Sequence, residues 1–338
     1  MKIHGNEKIP STMQAVFPET PGGPLVVRIT DVPLPGDGEV LVKMLASPVN
    51  PSDLGALRKA GNDPGVTGYI PGLEGSGLVV AAGKGLLPGL WLGKRVACSA
   101  HTPGKGTWAQ YMVTSAATCF PLRKDIGDEQ GSMTLVNPLT AISFIEKVKK
   151  SGQRSFINNA AASSLGRMIE YLASKEGLTV INLVRSDEKV AMLLNAGSTH
   201  VLNTSSEDFT EKLATMANSL NSKILFDSVC DDNLPSIVSS LPYGSEVVIY
   251  GNLTATEGIS INPRDLIDRD IKVTGFFLGN QAKENGLLKN MVNLIKAGKL
   301  MSTGLPVKIS GRYPLARVQE AVTVYLDHMS DGKVLLIP

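Results

Sequence analysis

The stretch that decides the fold covers residues 154–188 and reads RSFINNAAASSLGRMIEYLASKEGLTVINLVRSDE. Its apolar start, Phe156 and Ile157, predicts a strand that leads into the small residues 159–164. Apolar side chains spaced three and four positions apart then predict a helix, and a second strand follows at Thr179–Val184. The first turn of this βαβ unit lacks bulky side chains, so a pyrophosphate could approach the backbone N–H groups at the helix N-terminus.

Glycines usually mark such a turn, and here only Gly166 remains of the three glycines in the G-x-G-x-x-G fingerprint. Alanine and serine replace the others, which keeps the turn narrow. Because βαβ turns are common in α/β proteins, the unit alone leaves two interpretations open: a dinucleotide site or an ordinary crossover.

The residue that follows the second strand is Arg185, and the first acid, Asp187, comes two positions later. Enzymes that bind NAD place Asp or Glu at this strand end for the ribose 2′-hydroxyl, whereas NADP enzymes place a cation there for the 2′-phosphate. A guanidinium matches phosphate geometry and stays charged at any working pH. The arginine therefore predicts NADP(H) as the cofactor; the alternative is a solvated side chain at a strand end.

Composition limits the classes of protein to consider. A chain of 338 residues, 43% hydrophobic and 19% charged, is typical of a globular protein with two domains. A net charge of +2 argues against a nucleic-acid partner. No apolar run is long enough for a membrane span and no signal-peptide core is evident, so we expect a cytoplasmic protein. The scattered Cys98, Cys119 and Cys230 form neither a disulfide framework nor a zinc knuckle.

The pattern of predicted secondary structure changes near Asp128. Before it, short β segments broken by Pro and Gly predict a small irregular barrel, with strands at Met13–Phe17, Leu25–Ile29, Val40–Ala46, Leu78–Ala81, Arg95–Cys98 and Trp108–Val113. After it, helices alternate with strands, which predicts an α/β fold with a doubly wound parallel sheet. We expect the last segment of the chain to pack back on the first domain.

Six motifs then occur in an order typical of one family: Ala46–Asp53 (ASPVNPSD), Pro71–Gly77 (PGLEGSG), Gly106–Trp108 (GTW), Val136–Ala141 (VNPLTA), Asn159–Gly166 and Asp270–Leu278 (DIKVTGFFL). The chain resembles the medium-chain dehydrogenase/reductase superfamily, and within it the zinc-free quinone oxidoreductases and 2-enoyl thioester reductases. The resemblance implies a GroES-like β-barrel catalytic domain at residues 1–125, completed by residues 280–338, and a Rossmann NADP-binding domain at residues 126–279.

The resemblance also bears on metal binding. Zinc-dependent relatives hold the metal with an early Cys and with the His of a Gly-His-Glu run, and the corresponding positions here resemble Pro51 or a neighbour and Leu73. Leucine cannot ligate a metal, and a structural zinc lobe needs four clustered cysteines where the chain has three in total. We therefore expect no metal site.

By resemblance, the cofactor would contact residues from the predicted turn, the strand ends and the Phe-Phe-Leu run. These are Thr140, Asn159, Ser163, Ser164, Leu165, Arg185, Tyr250, Gly251, Phe276, Phe277 and Leu278. For the two phenylalanines, packing in the core is an equally good interpretation.

The catalytic residues are harder to assign. Thioester reductases of the family carry a tyrosine beyond the Asn-Pro-Ser-Asp run, but counting eight residues from Asp53 reaches Gly61. Tyr69 is the candidate proton donor that remains; the alternative is a structural loop tyrosine. Further polar candidates for holding a substrate oxygen are Asn50, Ser52 and Arg58, although Asn50 and Asp53 are also suited to capping a helix that begins at Pro51.

The resemblance implies a zinc-free NADPH-dependent reductase of quinones, enones or enoyl thioesters. Quinone reduction needs no precisely placed proton donor to carbon, so the missing tyrosine favours quinones or small enones as substrates. The alternative is a catalytically silent NADPH-binding protein of the crystallin or adaptor kind. A homodimer is expected through the strand edge formed by residues 258–262 and 271–275.

Overall fold

A computed structural model describes residues 1–5, 8–62, 68–303 and 307–338. The described residues divide into two compact units, one made of residues 1–138 and 292–338 and the other of residues 139–291. The sequence placed these boundaries after residue 125 and after residue 279. In the structure the segment 126–138 belongs to the first unit, because its short helix packs on strands of that unit.

The N-terminal part of the first unit is mostly β-structure. Its strands are β1 (Lys2–Ile3), β2 (Thr12–Pro18), β3 (Leu25–Asp31), β4 (Glu39–Pro48), β5 (Glu74–Ala82), β6 (Arg95–Ser99), β7 (Tyr111–Ser115) and β8 (Cys119–Pro121). Its helices are α1 (Pro51–Gly61), α2 (Leu86–Trp91), α3 (Asp128–Gly131) and the start of α4 (Val136–Lys150), with a 3₁₀ turn at Ala116–Thr118. The predicted strand at Trp108 begins only at Tyr111, because Trp108 is buried in the core with its indole N–H on the Pro48 carbonyl.

The second unit alternates strands and helices. Its elements are β9 (Ser155–Asn158), α5 (Ser164–Lys175), β10 (Thr179–Val184), α6 (Asp187–Asn195), β11 (His200–Asn203), α7 (Phe209–Ser219), β12 (Ile224–Asp227), α8 (Leu234–Ser240), β13 (Glu246–Ile249), α9 (Pro263–Asp268), β14 (Lys272–Gly275) and most of α10 (Leu278–Ser302). Within residues 139–291, all of which are described, the strands form one parallel sheet in the order β11-β10-β9-β12-β13-β14. This order confirms the predicted doubly wound sheet. The central strands are buried along their whole length, as parallel strands covered on both faces must be.

The chain then returns to the first unit. α10 is kinked at Gly286, whose φ of 70° lies in the left-handed region that favours glycine. The remaining elements are β15 (Ile309–Pro314), a 3₁₀ turn at Leu315–Arg317, α11 (Val318–Asp327) and β16 (Lys333–Ile337).

The closing strand is built into the sheet of the first unit. Among the described residues this sheet has eight strands, in the order β15-β16-β4-β5-β6-β8, with β1 added on β5 and β7 added on β4, and β2 pairs with β3 in a separate hairpin. β16 runs antiparallel to β4, with Leu335 opposite Pro48 and Leu336 opposite Ser47. This pairing brings Lys333, at the start of β16, to the end of β4 where Asn50 begins α1.

Candidate functional site

The turn between β9 and α5 presents backbone N–H groups at a helix N-terminus. Ser163 is the N-cap, and its hydroxyl accepts the N–H of Gly166 at 3.0 Å. The first N–H groups of a helix have no acceptor inside it, and the helix dipole adds partial positive charge there. The N–H groups of Ser164 and Leu165 are therefore placed to bind an anion such as a pyrophosphate.

Steric limits explain why one glycine remains in this turn. A Cβ on Gly166 would lie 2.4 Å from the carbonyl oxygen of Ala161, so no larger residue fits there. Ala160 has a φ of 55°, which a non-glycine residue adopts only where the surrounding structure holds it. The turn is thus tight, and its alanines and serines are compatible with the close backbone approach predicted from the sequence.

Asn159 supports the turn from inside. The residue is buried; its Nδ2 donates to the Asp227 carboxylate at 2.5 Å, and its Oδ1 accepts the N–H of Ala160 at 2.8 Å. Asp227 in turn accepts the N–H groups of Val229 and Cys230, each at 2.9 Å. Asn159 therefore links the carboxyl ends of β9 and β12, where ligands of open α/β sheets bind.

Arg185 follows β10 with an exposed side chain. Among the residues that the structure describes, none forms an ion pair with its guanidinium. The nearest acid in sequence, Asp187, accepts a hydrogen bond from Asn203 Nδ2 at 2.8 Å. The hydroxyl of Ser205 donates to the Arg185 carbonyl at 3.1 Å and so holds the backbone in place. A charged, accessible guanidinium at this strand end is suited to a phosphate.

An aromatic cluster lies beside the other strand ends. Phe144 of α4 stacks on Phe226 with ring centres 4.0 Å apart. Edge contacts of 5.0 Å to Tyr250 and 4.8 Å to Phe276 complete the cluster. Burial raises the pKa of the Tyr250 hydroxyl well above its ordinary value, so this group stays protonated. Because its ring contacts that of Phe144, Phe276 takes part in packing, whereas Phe277 is 69% exposed.

The other predicted cofactor residues occupy the same unit. Thr140 is buried within α4, and Leu278 begins α10. Gly251 follows β13 in close contact with the next strand end, because a Cβ there would lie 2.8 Å from Ser228 Cβ. Thr140, Gly251 and Leu278 stay predictions as cofactor contacts.

In the first unit, Asn50 begins a buried polar network. Asn50 caps α1 and its backbone N–H donates to Asp53 Oδ2 at 2.7 Å, while Leu73 N–H donates to Asp53 Oδ1 at 2.7 Å. The Asn50 side chain accepts a hydrogen bond from Lys333 Nζ and donates to Glu74 Oε1 at 3.1 Å. Sequence reasoning missed Glu74 and Lys333. The available signal was that each is a charged residue at the first position of a strand without other charged residues.

Burial shifts the ionisation of this network. It raises the pKa of Asp53 to about 7, and the nearby Glu74 charge adds to this effect, while two backbone N–H groups and Lys333 oppose it. Burial also raises the pKa of Glu74 and lowers that of Lys333, and attraction between these two opposes both shifts. The raised pKa of Asp53, about 7, lies in the range where enzymes work.

Tyr69 and Arg58 lie outside the hydrogen-bonded network. Tyr69 is half-buried, and its pKa is raised first by burial and then by the charge of Asp53, so its hydroxyl is protonated at neutral pH. Arg58 and Ser52 are exposed on α1. Residues 63–67, between α1 and Tyr69, lie outside the described residues.

Neither a metal-binding cluster nor a helix suited to crossing a membrane occurs among the described residues. No group of three or more His, Cys, Asp or Glu side chains is arranged to hold a metal ion there, and Leu73 contributes only its backbone N–H to Asp53. Within the same residues, no helix has the length and apolar character that crossing a membrane requires.

Known proteins match the chain along most of its length. Residues 36–124 match the family model of the alcohol dehydrogenase GroES-like domain, and residues 164–295 match that of the zinc-binding dehydrogenases. A crystal structure from Mesorhizobium loti, assigned as an NADPH:quinone reductase, superposes with a TM-score of 0.87 at 32% identity, over 98% of this chain and 100% of that chain.

The curated relatives belong to two classes of enzyme, enoyl reductases and quinone oxidoreductases. The mitochondrial enoyl-[acyl-carrier-protein] reductase of Xenopus tropicalis is 28% identical over 91% of both chains. The quinone oxidoreductase of Rattus norvegicus is 24% identical over 89% of this chain and 90% of its own. With the GroES-like unit and the parallel Rossmann sheet described above, these matches show that the chain belongs to the medium-chain dehydrogenase/reductase superfamily, as an enzyme similar to its quinone oxidoreductases and enoyl reductases.

Proposed function

We propose that the chain is an NADPH-dependent reductase of quinones or activated C=C bonds that works without zinc. The observation that carries this proposal is the exposed guanidinium of Arg185 at the carboxyl end of β10. The nearest acid in sequence, Asp187, accepts a hydrogen bond from Asn203. The names of the relatives, an NADPH:quinone reductase among them, support the same cofactor and chemistry. Leu73 supports the absence of zinc, since its side chain cannot be a ligand.

The residues of the second unit fit this cofactor. The N–H groups of Ser164 and Leu165 would bind the pyrophosphate, and Arg185 would bind the 2′-phosphate through charge-assisted hydrogen bonds. Thr140 and Gly251 remain proposed contacts along the same sheet edge. Bound NADPH would supply a hydride.

The first unit would supply the proton and stabilise charge. As a substrate carbonyl is reduced, negative charge develops on its oxygen, and a nearby hydrogen-bond donor stabilises it. Tyr69 is the proposed donor, because it is a half-buried tyrosine whose hydroxyl is protonated at neutral pH, with a pKa raised further by burial and by the charge of Asp53. Arg58 is exposed and would attract anionic parts of a substrate, whereas Asn50 acts from within the buried network.

A turnover panel tests the proposal. NADPH oxidation is followed with a quinone, a small enone and an enoyl-CoA, and NADPH binding is measured separately by calorimetry. We expect turnover to be fastest with the quinone or the enone, because the position of the thioester reductase tyrosine corresponds to Gly61. Tight NADPH binding without oxidation by any acceptor would instead indicate a silent binding protein.

We further propose a homodimer formed along β14. This strand pairs with β13 on one side, and Val273 and its neighbours are exposed. The apolar side chains of Ile267 and Phe277, 73% and 69% exposed, lie close to it in sequence. An exposed strand edge with apolar neighbours favours pairing with a second copy. The cytoplasmic location stays a prediction.

A further inference from the structure

The polar network of the first unit is more deeply buried than charged side chains usually are. Asp53, Glu74 and Lys333 are each no more than 2% exposed. Such groups are rarely buried unless they are paired. Each comes from a different segment, namely α1, the start of β5 and the start of β16, so the closing strand supplies a charge to a site formed by the N-terminal half.

Lys333 is the cation of this network, which holds two carboxylates. The side chain of Lys333 donates to Asn50 Oδ1, and it is the cation that acts on the pKa of both Asp53 and Glu74. Without it the two carboxylates would face each other in a low-dielectric interior with only neutral donors around them. A buried charge with no opposite charge is strongly unfavourable.

The network reaches the segment that carries Tyr69. Asp53 accepts the N–H of Leu73 at 2.7 Å, and Leu73 lies four residues after Tyr69. The same segment is held at its other end, where the N–H of Ile70 donates to the carbonyl of Gly104 at 3.0 Å. Loss of the hydrogen bond between Asp53 and Leu73 would therefore alter the position of Tyr69, the candidate proton donor.

We propose that Lys333 is a positioning residue for the reduction: it holds the Asn50 amide and compensates the charge of Asp53 and Glu74, and so fixes the segment that carries Tyr69. This inference rests on the reductase function proposed above. Lys333 acts through Asn50 and Asp53, and no contact with a substrate is assigned to it.

The role of Lys333 has a pH signature. A protonated Asp53 carries an O–H donor and no longer suits the two N–H donors that face it, so the ionised form is the one that holds Leu73. With Lys333 present, Asp53 ionises near pH 7. Removing the cation takes away an attraction that lowers the pKa of Asp53, so this pKa rises, although the two backbone N–H groups still oppose the effect of burial. The other titratable groups that face these carboxylates, Tyr69, Tyr325 and Cys98, stay neutral because burial raises their pKa values.

The experiment compares pH profiles of kcat/KM for the wild type, Lys333→Met and Glu74→Gln, at saturating NADPH with the best acceptor. We expect wild-type activity to rise with pH through about 7. In Lys333→Met this acid limb moves to higher pH, and for an upward shift of about one unit the activity at pH 7 falls about fivefold. In Glu74→Gln it moves down, because a like charge has been removed. An unchanged limb in Lys333→Met overturns the proposal.

Two further measurements make the outcome decisive. Lys308→Met removes an exposed lysine whose carbonyl accepts the N–H of Lys333 at 2.8 Å, and its profile should equal that of the wild type. The pH dependence of unfolding reports the same ionisation without a substrate; a shift there without a shift in turnover shows a structural role only. If Lys333→Met does not fold, the absence of a downward shift in Glu74→Gln overturns the proposal.

Failure of the proposed function looks different. A wild type that binds NADPH and reduces no acceptor contradicts the reductase before any variant is compared, and the positioning role is overturned with it. A wild type that reduces an acceptor, with variants that share its profile, contradicts the role of Lys333 alone.

Discussion

The side-chain amide of Asn159 donates to the buried carboxylate of Asp227 at 2.5 Å and joins the carboxyl ends of two neighbouring strands. The same amide accepts the N–H of Ala160, which has a positive φ. One side chain thus holds both the strand ends and the strained residue of the nucleotide turn. The shape of the turn therefore depends on this contact as well as on Gly166, where no larger residue fits.

Asn159→Leu should therefore weaken both the fold and NADPH binding. It removes a partner of a buried carboxylate, which should lower the free energy of unfolding by about 1–3 kcal/mol. NADPH affinity should fall about tenfold in calorimetry, since the turn loses its support. Asn218→Leu, at an exposed position on α7, is the control and should change neither quantity. Full NADPH affinity in Asn159→Leu would contradict a role in shaping the turn.

Arg185→Ala tests the choice of cofactor. The loss of a charge-assisted contact with the 2′-phosphate should cost about 1.5–3 kcal/mol, or roughly tenfold to a hundredfold in NADPH affinity. NADH lacks that phosphate, so its affinity should stay the same. Arg154→Ala removes another exposed arginine of the same unit and serves as the control. Equal losses for NADPH and NADH would refute the assignment.

Tyr69→Phe tests the proton donor. We expect kcat for an enone to fall about a hundredfold, because general acid catalysis at a positioned side chain contributes about this much. NADPH affinity should not change, and quinone reduction should suffer less because its product oxygens can take protons from water. Tyr243→Phe, on the surface of the second unit, is the matched control. Unchanged enone turnover in Tyr69→Phe would remove Tyr69 from the mechanism.

Asp53 should make stability depend on pH. Its pKa is raised from 3.8 to about 7 in the folded protein, so between these values the folded state retains a proton that the unfolded state has released. Its contribution to stability is therefore fully present below pH 3.8 and is lost as pH rises through about 7, at about 1.4 kcal/mol per pH unit. The difference in unfolding free energy between wild type and Asp53→Asn should follow this slope in chemical denaturation. Asp327→Asn, the same change at an exposed position, is the control for the substitution itself.

Val273→Pro tests the dimer. In β14 the N–H of Lys272 donates to Ser245 and that of Phe276 to Ile249, so the N–H of Val273 points away from β13. A proline there leaves the ladder to β13 intact and blocks pairing with a second copy. Light scattering should give twice 35.8 kDa for the wild type and a monomer for the variant. A monomeric wild type would contradict the proposed dimer.

Local signals were enough to predict much of the second unit. The βαβ unit, the narrow turn and the position of Arg185 follow from residues 154–188, because strand and helix periodicity and small side chains are visible in a short window. The parallel sheet follows from the alternation of strands and helices after Asp128. Gly166 remains because its own backbone neighbours leave no room for a Cβ.

Long-range pairing limited the prediction elsewhere. Glu74 and Lys333 come together through Asn50 because β16 pairs with β4, and no local pattern reports that pairing. Phe276 and Phe277 are equally apolar in sequence, yet one packs on Phe144 and the other faces solvent. Burial of this kind depends on neighbours that are distant along the chain.

The Glu74 carboxylate accepts hydrogen bonds from the backbone N–H groups of Leu135 and Val136, and this limits where the chain can be cut into fragments. The helix that begins at Val136 receives part of its N-terminal capping from a side chain far upstream. An expression fragment that starts near residue 136 would lose these two acceptor contacts. Its first turn should fray unless an Asp or Ser is engineered just ahead of it, so such fragments call for a redesigned start.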